Sequence, residues 1–432
     1  MKGIITKISA FFPFRNLTRW AILFYLLGLL AFGAYKTFKH PSLDKFVIGS
    51  DTEGYYQYLP WFFLHDWHDF QYLPWAKPYG EGKTLSVFTC GTAILQAPFF
   101  LTAHAITRLS NLKADGYGPV YYFSVFLAGL FYAMLGLVFL IKALARMFNF
   151  STAFIAAVLI FYGTNLFYYT IMGPGMSHVY SFFLLSLFLF TVPRFYDKPG
   201  ITTALAVSLP LSLAVLIRPT NGVAVLYLLF YGIACFRETG PRLGWLIRKW
   251  PLFICMGLSA FVVFIPQLIY WHYVTGDWLV YSYQEEGFSF WKNPQFVTVL
   301  FGKRGGWFTY TPLMWFAFIT LVWMAWKKIH SAPVILLTIL VIIYLDASWW
   351  APTFSASAGY RALIEFLPFM AVPVAFFYHK IRMQKNRKIQ LIFNIVIWII
   401  ILYNIQFAFK YDSTVWWDWE WSYKTMLRLF TF

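Results

Sequence analysis

Residues 119–141 read PVYYFSVFLAGLFYAMLGLVFLI, an apolar run without a single charged side chain. A helix needs about 20 such residues to cross the hydrocarbon of a bilayer. Working outward, comparable runs recur at 20–38, 92–109, 152–171, 178–193, 201–217, 221–236, 251–272, 307–326, 332–349, 361–378 and 389–409. The composition agrees: 60% of residues are hydrophobic and 12% charged, where a soluble domain carries about 25% charged residues. The expected fold class is an all-α polytopic integral membrane protein, a bundle of about 11–12 hydrophobic helices. Only a short tail follows residue 409, so no large soluble domain is expected and 1–432 reads as one membrane domain.

The net charge of +17 does not point to nucleic acid, because the bases cluster in short loops as cytoplasmic loops do. Arg237, Arg242, Arg248 and Lys249 form one cluster, Lys327 and Lys328 a second, and Lys380, Arg382, Lys385, Arg387 and Lys388 a third. With these inside, 273–306, 350–360 and the Trp-rich tail 410–432 fall outside, as do 172–177 and Arg218. Lys142, Arg146 and 194–200 fall inside. Lys2, Lys7, Arg15 and Arg19 precede the first apolar run, but no small-residue cleavage site follows. The expectation is an uncleaved first helix with a cytoplasmic N-terminus. Twelve full crossings then leave the parity wrong by one. The weakest span is 92–109, which contains Pro98, His104 and Arg108. It is expected not to cross fully, so that 39–118 lies outside. Within that region, WFFLHDWHDFQYLPW (61–75) alternates aromatic and polar groups, as short interfacial helices do. Cys90, Cys235 and Cys255 are odd in number, without metal or disulfide spacing, and read as inert fillers.

Chemistry is sought among the few ionisable groups near the outer side. GSDTEGYYQYLP (49–60) sets Asp51 and Glu53 just after the first apolar run. Asp51 reads as a base or metal ligand at a membrane cavity. It reads equally as a first-turn acid beside a Ser50/Glu53 capping box. Arg218, in LIRPTNG (216–222), follows a long apolar run, and a base so near the membrane core marks a site or snorkels to headgroups. Arg361 has Glu365 one helical turn on, an i, i+4 pair that faces a polar cavity or lies on a surface. Trp349 and Trp350 offer flat platforms for a sugar face or for the interfacial belt. Lys303 and Arg304 stand between glycines in GKRGGWFTYTP (302–312), where exposed backbone N–H groups favour an anion. His178 opens a helix whose N-terminus favours anions, or is a hydrogen-bonded core residue. No Walker loop, HExxH or CxxC occurs, which leaves ATP-driven transport and zinc hydrolysis without support.

Several stretches together resemble the GT-C superfamily of polytopic glycosyltransferases. These are SDTEGYY (50–56), LIRPTNG, VTGDW (274–278), GGWFTYTP (305–312) and SWWAPTFSASAGYRALIEFLP (348–368). GTNLFYYTIMGPGMSHVYS (163–181) is similar to bacterial members of unknown specificity. The resemblance implies a lipid-phosphate-linked sugar donor and an active site on the outer face of the bacterial inner membrane. By it, Asp51 matches the catalytic acid of the first outer loop and Glu53 a secondary acid. The chain departs from two branches. It has no KPP-type segment of the aminoarabinose transferases, and VWWDWEW (415–421) only echoes the WWDYG of oligosaccharyltransferases.

The expected function is transfer of a sugar from a polyprenyl phosphate to a hydroxyl of a glycan, lipid or protein acceptor, with inversion. Phosphate is already a good leaving group, so the paired carboxylates of glycoside hydrolysis are not needed. Asp51 is expected to take the acceptor proton. Arg218 and Arg361, with Lys303, Arg304 and His178, are expected to hold the donor phosphate. Trp349, Trp350, Tyr55 and Tyr360 are the expected stacking groups for sugar or lipid. No cofactor is required; a divalent metal at Asp51 and Glu53 is allowed. The competing readings are a flippase or exporter of anionic lipid-linked saccharide, and a ligase or polymerase of surface polysaccharide.

Overall fold

A computed structural model describes residues 27–38, 47–49, 51–65, 75–79, 82–329, 331–354, 357–411 and 422–430, and most of them are helical. After a helical stretch over 27–38, two short helices, α1 (Asp51–Tyr56) and α2 (Tyr58–Leu64), precede an antiparallel hairpin of β1 (Ala76–Pro78) and β2 (Thr84–Ser86). Then come α3 (Gly91–Leu109), α4 (Pro119–Leu144), α5 (Phe150–Tyr162), α6 (Leu166–Ile171), α7 (Ser177–Asp197) and α8 (Ile201–Ile217). A 3-10 turn, Pro219–Ala224, leads to α9 (Val225–Phe230), α10 (Thr239–Arg248) and α11 (Trp250–Thr275). The remainder holds α12 (Phe296–Phe301), α13 (Trp307–Tyr310), α14 (Leu313–Trp326), α15 (Ala332–Ser348), the turn Arg361–Leu363, α16 (Leu367–Arg382), α17 (Arg387–Lys410) and α18 (Tyr423–Phe430).

Among the described residues α4, α7, α11 and α17 are long and apolar enough to cross a membrane. The 26 residues of α4 make a rod of roughly 39 Å at 1.5 Å per residue. Local chemistry sets the helix ends. Asn149 caps α5 by accepting from Thr152 N–H at 2.9 Å, and Asn386 caps α17 in the same way. Pro219 stops α8: the residue before a proline is driven out of helical geometry, and Arg218 is extended at φ −147°, ψ 121°. α11 ends on Gly276 in the left-handed conformation. The main core joins α4, α5, α7, α8 and α14 to α16, and a second aromatic cluster around Tyr56, Trp61, Phe100, Tyr121 and Tyr270 caps one end.

Four expected spans are corrected. The run 152–171 is broken at 163–165, where the Thr164 hydroxyl donates to the Ile160 carbonyl at 2.6 Å and accepts Leu166 N–H at 3.2 Å. Hydroxyls that bond backbone in this way compete with a continuing helix. The run 221–236 is helical only to Phe230 and then turns at Gly232. Thr311 leaves helical geometry before Pro312 and separates α13 from α14. The run 361–378 is a 3-10 turn first; its helix starts at Leu367 and continues to Arg382. The hairpin was not expected, because three-residue strands are too short for alternation to register. Lys2, Lys7, Arg15 and Arg19, most of the aromatic segment 61–75, and the Trp-rich 412–421 lie outside the described residues.

The basic loops gather at one end of the bundle. Arg146 reaches Asp197 at 2.5 Å, tying the end of α4 to the end of α7. Tyr196 stacks near Trp245 of α10, with ring centroids 4.8 Å apart, and Arg242 donates to the Tyr231 carbonyl at 2.6 Å. Gly232 N–H meets Ser331 Oγ at 3.2 Å, and Arg382 meets Ser151 Oγ at 3.0 Å. At the other end stand the start of α7, the end of α8 and the end of α15. α3 stays in that second half. Cys90, just before it, donates to Gln267 at 2.8 Å, and Thr89 bonds the last carbonyls of α8. From there α3 runs antiparallel to the first half of α4 only, with Phe99 against Phe131 and Tyr132, and His104 bonded to Tyr121 at 2.7 Å. The following turn is held by the Tyr56 hydroxyl on the Gly116 carbonyl at 2.5 Å. Residues 110–118 therefore sit beside α1, which carries Asp51.

Candidate functional site

Three remote parts of the chain are locked together around Asp51. The loop after α6 presses Gly175 onto α1 so closely that a Cβ there would lie 2.0 Å from Thr52 Cγ2 and 2.5 Å from the Val47 carbonyl oxygen. Only glycine fits. The helix break at 163–165 frees Asn165 to donate to the Ala358 carbonyl at 3.0 Å, while Ala358 N–H donates to the Tyr169 hydroxyl at 3.2 Å. Gly359 takes φ +67°, a left-handed geometry that side chains disfavour, and the chain turns there to present Arg361. The loop after α11 is tied to the segment around the hairpin by Ser282 on the Val87 carbonyl (2.6 Å) and Lys77 on Gln284 (2.9 Å). The same loop meets the end of α15 through Phe290 N–H on the Ser348 carbonyl (3.0 Å) and Trp350 N–H on the Gly287 carbonyl (2.9 Å).

These contacts enclose a cavity of about 190 Å³. Asp51, Tyr55, His178, Arg218, Glu286 and Arg361 supply its polar wall. Trp75, Phe88, Tyr283, Trp349, Trp350 and Phe354 supply an aromatic one. The Arg361 guanidinium donates to Asp51 Oδ2 at 2.8 Å, and both side chains are only 12–13% exposed. Arg218 Nη1 donates to Glu365 Oε1 at 3.1 Å, and His178 Nδ1 lies 3.1 Å from the same oxygen. Each arginine thus has a carboxylate counter-ion. Burial, with the Asp51 charge next, pushes the Tyr55 hydroxyl up to about 12. It therefore remains a hydrogen-bond donor near neutrality while accepting from Ser177 Oγ at 3.2 Å. Tyr283 stands edge-on to Trp349 with centroids 5.6 Å apart, so the tryptophan plane is braced.

Of the residues expected from sequence, Asp51, Tyr55, His178, Arg218, Trp349, Trp350 and Arg361 line this cavity. Glu53, Lys303, Arg304 and Tyr360 are not among its lining residues. Glu53 is two residues past Asp51 on α1, about 200° around the helix at 3.6 residues per turn, and its charge is felt by Tyr117 instead. Lys303 lies over the Tyr423 ring of α18 at 5.4 Å, and its carbonyl takes the Tyr310 hydroxyl. Arg304 adjoins it in the same turn. Tyr360 is buried behind the wall, edge-on to Phe354. The pairing expected within one helix, Arg361 with Glu365, is also corrected. The backbone there is a 3-10 turn rather than an α-helix, so the two diverge: Arg361 turns to Asp51, and Glu365 to Arg218 and His178.

Sequence reading missed Glu365 as the hub of a buried network, and Asp346, which is 3% exposed near the end of α15. An acid inside the apolar run IYLDASWW (343–350) was the available signal. Among the described residues no three His, Cys, Asp or Glu side chains are grouped to hold a metal ion. No protein-family model, curated protein or solved structure matches this chain.

Proposed function

We propose that the protein is an integral membrane glycosyltransferase that moves a sugar from a polyprenyl-phosphate donor to a hydroxyl acceptor on the outer face of the membrane. The observation that carries this reading is the meeting of Arg218, Arg361 and Asp51 in one aromatic-walled cavity, although they are far apart in the chain. A phosphate entering the cavity meets two guanidinium groups, whose planar donor pattern suits its oxygens. The bond to the leaving phosphate weakens as those groups take up its growing charge. Asp51 holds the Arg361 guanidinium in place until the phosphate arrives. Trp349, Trp350 and Tyr283 offer flat faces to the apolar side of a sugar ring. Direct displacement by the acceptor oxygen inverts the anomeric carbon. The cavity lies at the end opposite the basic loops, and the positive-inside rule then turns it outward.

The test supplies purified protein in liposomes with synthetic undecaprenyl-phosphate hexoses and pentoses, radiolabelled in the sugar, together with a lipid and glycan extract as acceptor. Label is expected to leave the donor, appear on the acceptor and release undecaprenyl phosphate. Label that crosses the liposome membrane while still on its lipid marks an exporter and overturns the reading. Use of a diphosphate-linked donor only would mark a polysaccharide ligase or polymerase.

A further inference from the structure

His178 and Glu365 form a dyad that the phosphate contacts leave unused. His178 is 2% exposed and Glu365 1%, and Nδ1 stands 3.1 Å from Oε1. A carboxylate at Nδ1 favours the tautomer in which that nitrogen carries the hydrogen and donates it. The lone pair then lies on Nε2, which is buried and has no hydrogen-bond partner. His178 also lines the cavity. A buried polar atom without a partner calls for an explanation, and a catalytic role is one of them; in His178 the orphan stands beside a carboxylate that orients the ring and in a residue that lines the cavity. Asp51, by contrast, has an oxygen engaged by Arg361 at 2.8 Å.

Resting on the sugar-transfer reading above, we propose that His178 Nε2 is the base that takes the acceptor's proton, with Glu365 as its positioning residue. The acceptor oxygen bonds the anomeric carbon as the bond from that carbon to the phosphate oxygen breaks. The electron pair leaves with the phosphate, and the hydroxyl proton passes to Nε2. An imidazolium forms in the cavity just as the phosphate gains negative charge. Glu365 stabilises that cation and holds the ring's direction, as a third group does for the base in other nucleophile–base pairs. The proton transfer expected of Asp51 from the sequence is thereby reassigned.

The groups facing the imidazole are few. Glu365 and Arg361 come from the turn before α16, and Arg218, with Nη1 3.4 Å from Nδ1, from the end of α8. The Tyr169 ring of α6 lies edge-on at 5.3 Å.

Two measurements test the role. Selective 15N-histidine labelling, with His178→Asn to identify the signals, should show Nδ1 protonated and Nε2 bare at neutral pH. A protonated Nε2 overturns the proposal. The second measurement is transfer from whichever radiolabelled undecaprenyl-phosphate sugar serves as donor. His178→Asn keeps an amide donor for Glu365 but cannot take a proton. Its kcat should fall about 10²–10⁴-fold, the range for a general base, with donor KM little changed. The acid limb of its pH–rate profile should disappear, and imidazole added to the assay should restore part of the rate. Glu365→Gln should retain the limb but shift it. His178→Gln, compared with His178→Asn by thermal melting, separates lost chemistry from lost folding. A wild-type rate in both histidine variants overturns the role alone. A wild-type protein that transfers none of the labelled sugars overturns the transfer reading and this role with it.

Discussion

Asp51 and Arg218 look alike as halves of ion pairs, yet their partners differ in burial, and that decides what each substitution does. Asp51 and Arg361 are both slightly exposed, so Asp51→Asn should leave the fold intact while releasing Arg361 for phosphate. Donor KM is expected to fall. The misplaced guanidinium should lower kcat by roughly 10–10²-fold, equivalent to one charge-assisted hydrogen bond of ~1.5–3 kcal/mol. Initial rates against donor concentration check this, and a KM that rises instead would count against phosphate binding at Arg361. Glu365, in contrast, is 1% exposed. Arg218→Ala strands its charge in the interior, a change that destabilises by about 3–5 kcal/mol in buried pairs. The double variant Arg218→Ala with Glu365→Gln should recover most of that stability in thermal melts, because the stranded charge is gone. It should not recover donor binding. Recovery of both would make Arg218 a purely structural ion.

At the scale of elements, breaks in helices place the site. The interruption at 163–165 supplies Asn165, the left-handed Gly359 turns the chain, and the Gly175 loop seats α1. Gly359→Ala should cost roughly 1–2 kcal/mol for a side chain in the left-handed region. It should also move Arg361, so that transfer falls more than the melting temperature implies. Gly175→Ala forces a Cβ against the Val47 carbonyl oxygen, a backbone atom that cannot swing aside. Overpacking of this kind costs typically ~1–3 kcal/mol. A melt unchanged in Gly175→Ala would mean that α1 is held some other way.

Over the whole molecule, the cavity and the basic loops occupy opposite ends, and this separation predicts orientation. In a background lacking Cys90, Cys235 and Cys255, a cysteine at Lys113 should react with an impermeant maleimide in intact spheroplasts. Lys113 is well exposed, with its side chain 87% accessible, and lies in the turn beside α1. A cysteine at Arg237, in the basic loop before α10, should react only after lysis. The reverse pattern would turn the cavity to the cytoplasm and remove the outer-face reading.

Hydropathy alone determined the helical class and the positions of the long apolar helices α4, α7, α11 and α17, because apolar length is a property of contiguous residues. Asp51, Arg218 and Arg361 could also be singled out, since a charge in an apolar context is visible wherever it folds. Their partners could not. Arg361 was assigned to Glu365 because they are four residues apart, but whether four residues make one helical turn depends on the backbone, and here it is a 3-10 turn. Glu365 became the hub of Arg218 and His178 only through packing between α7, α8 and the turn before α16. Likewise Lys303 and Arg304 look suited to an anion by composition, yet Lys303 lies over the Tyr423 ring of α18 and neither residue lines the cavity. Which charges exist is written along the chain; which charges meet is set by three-dimensional packing between segments far apart in it.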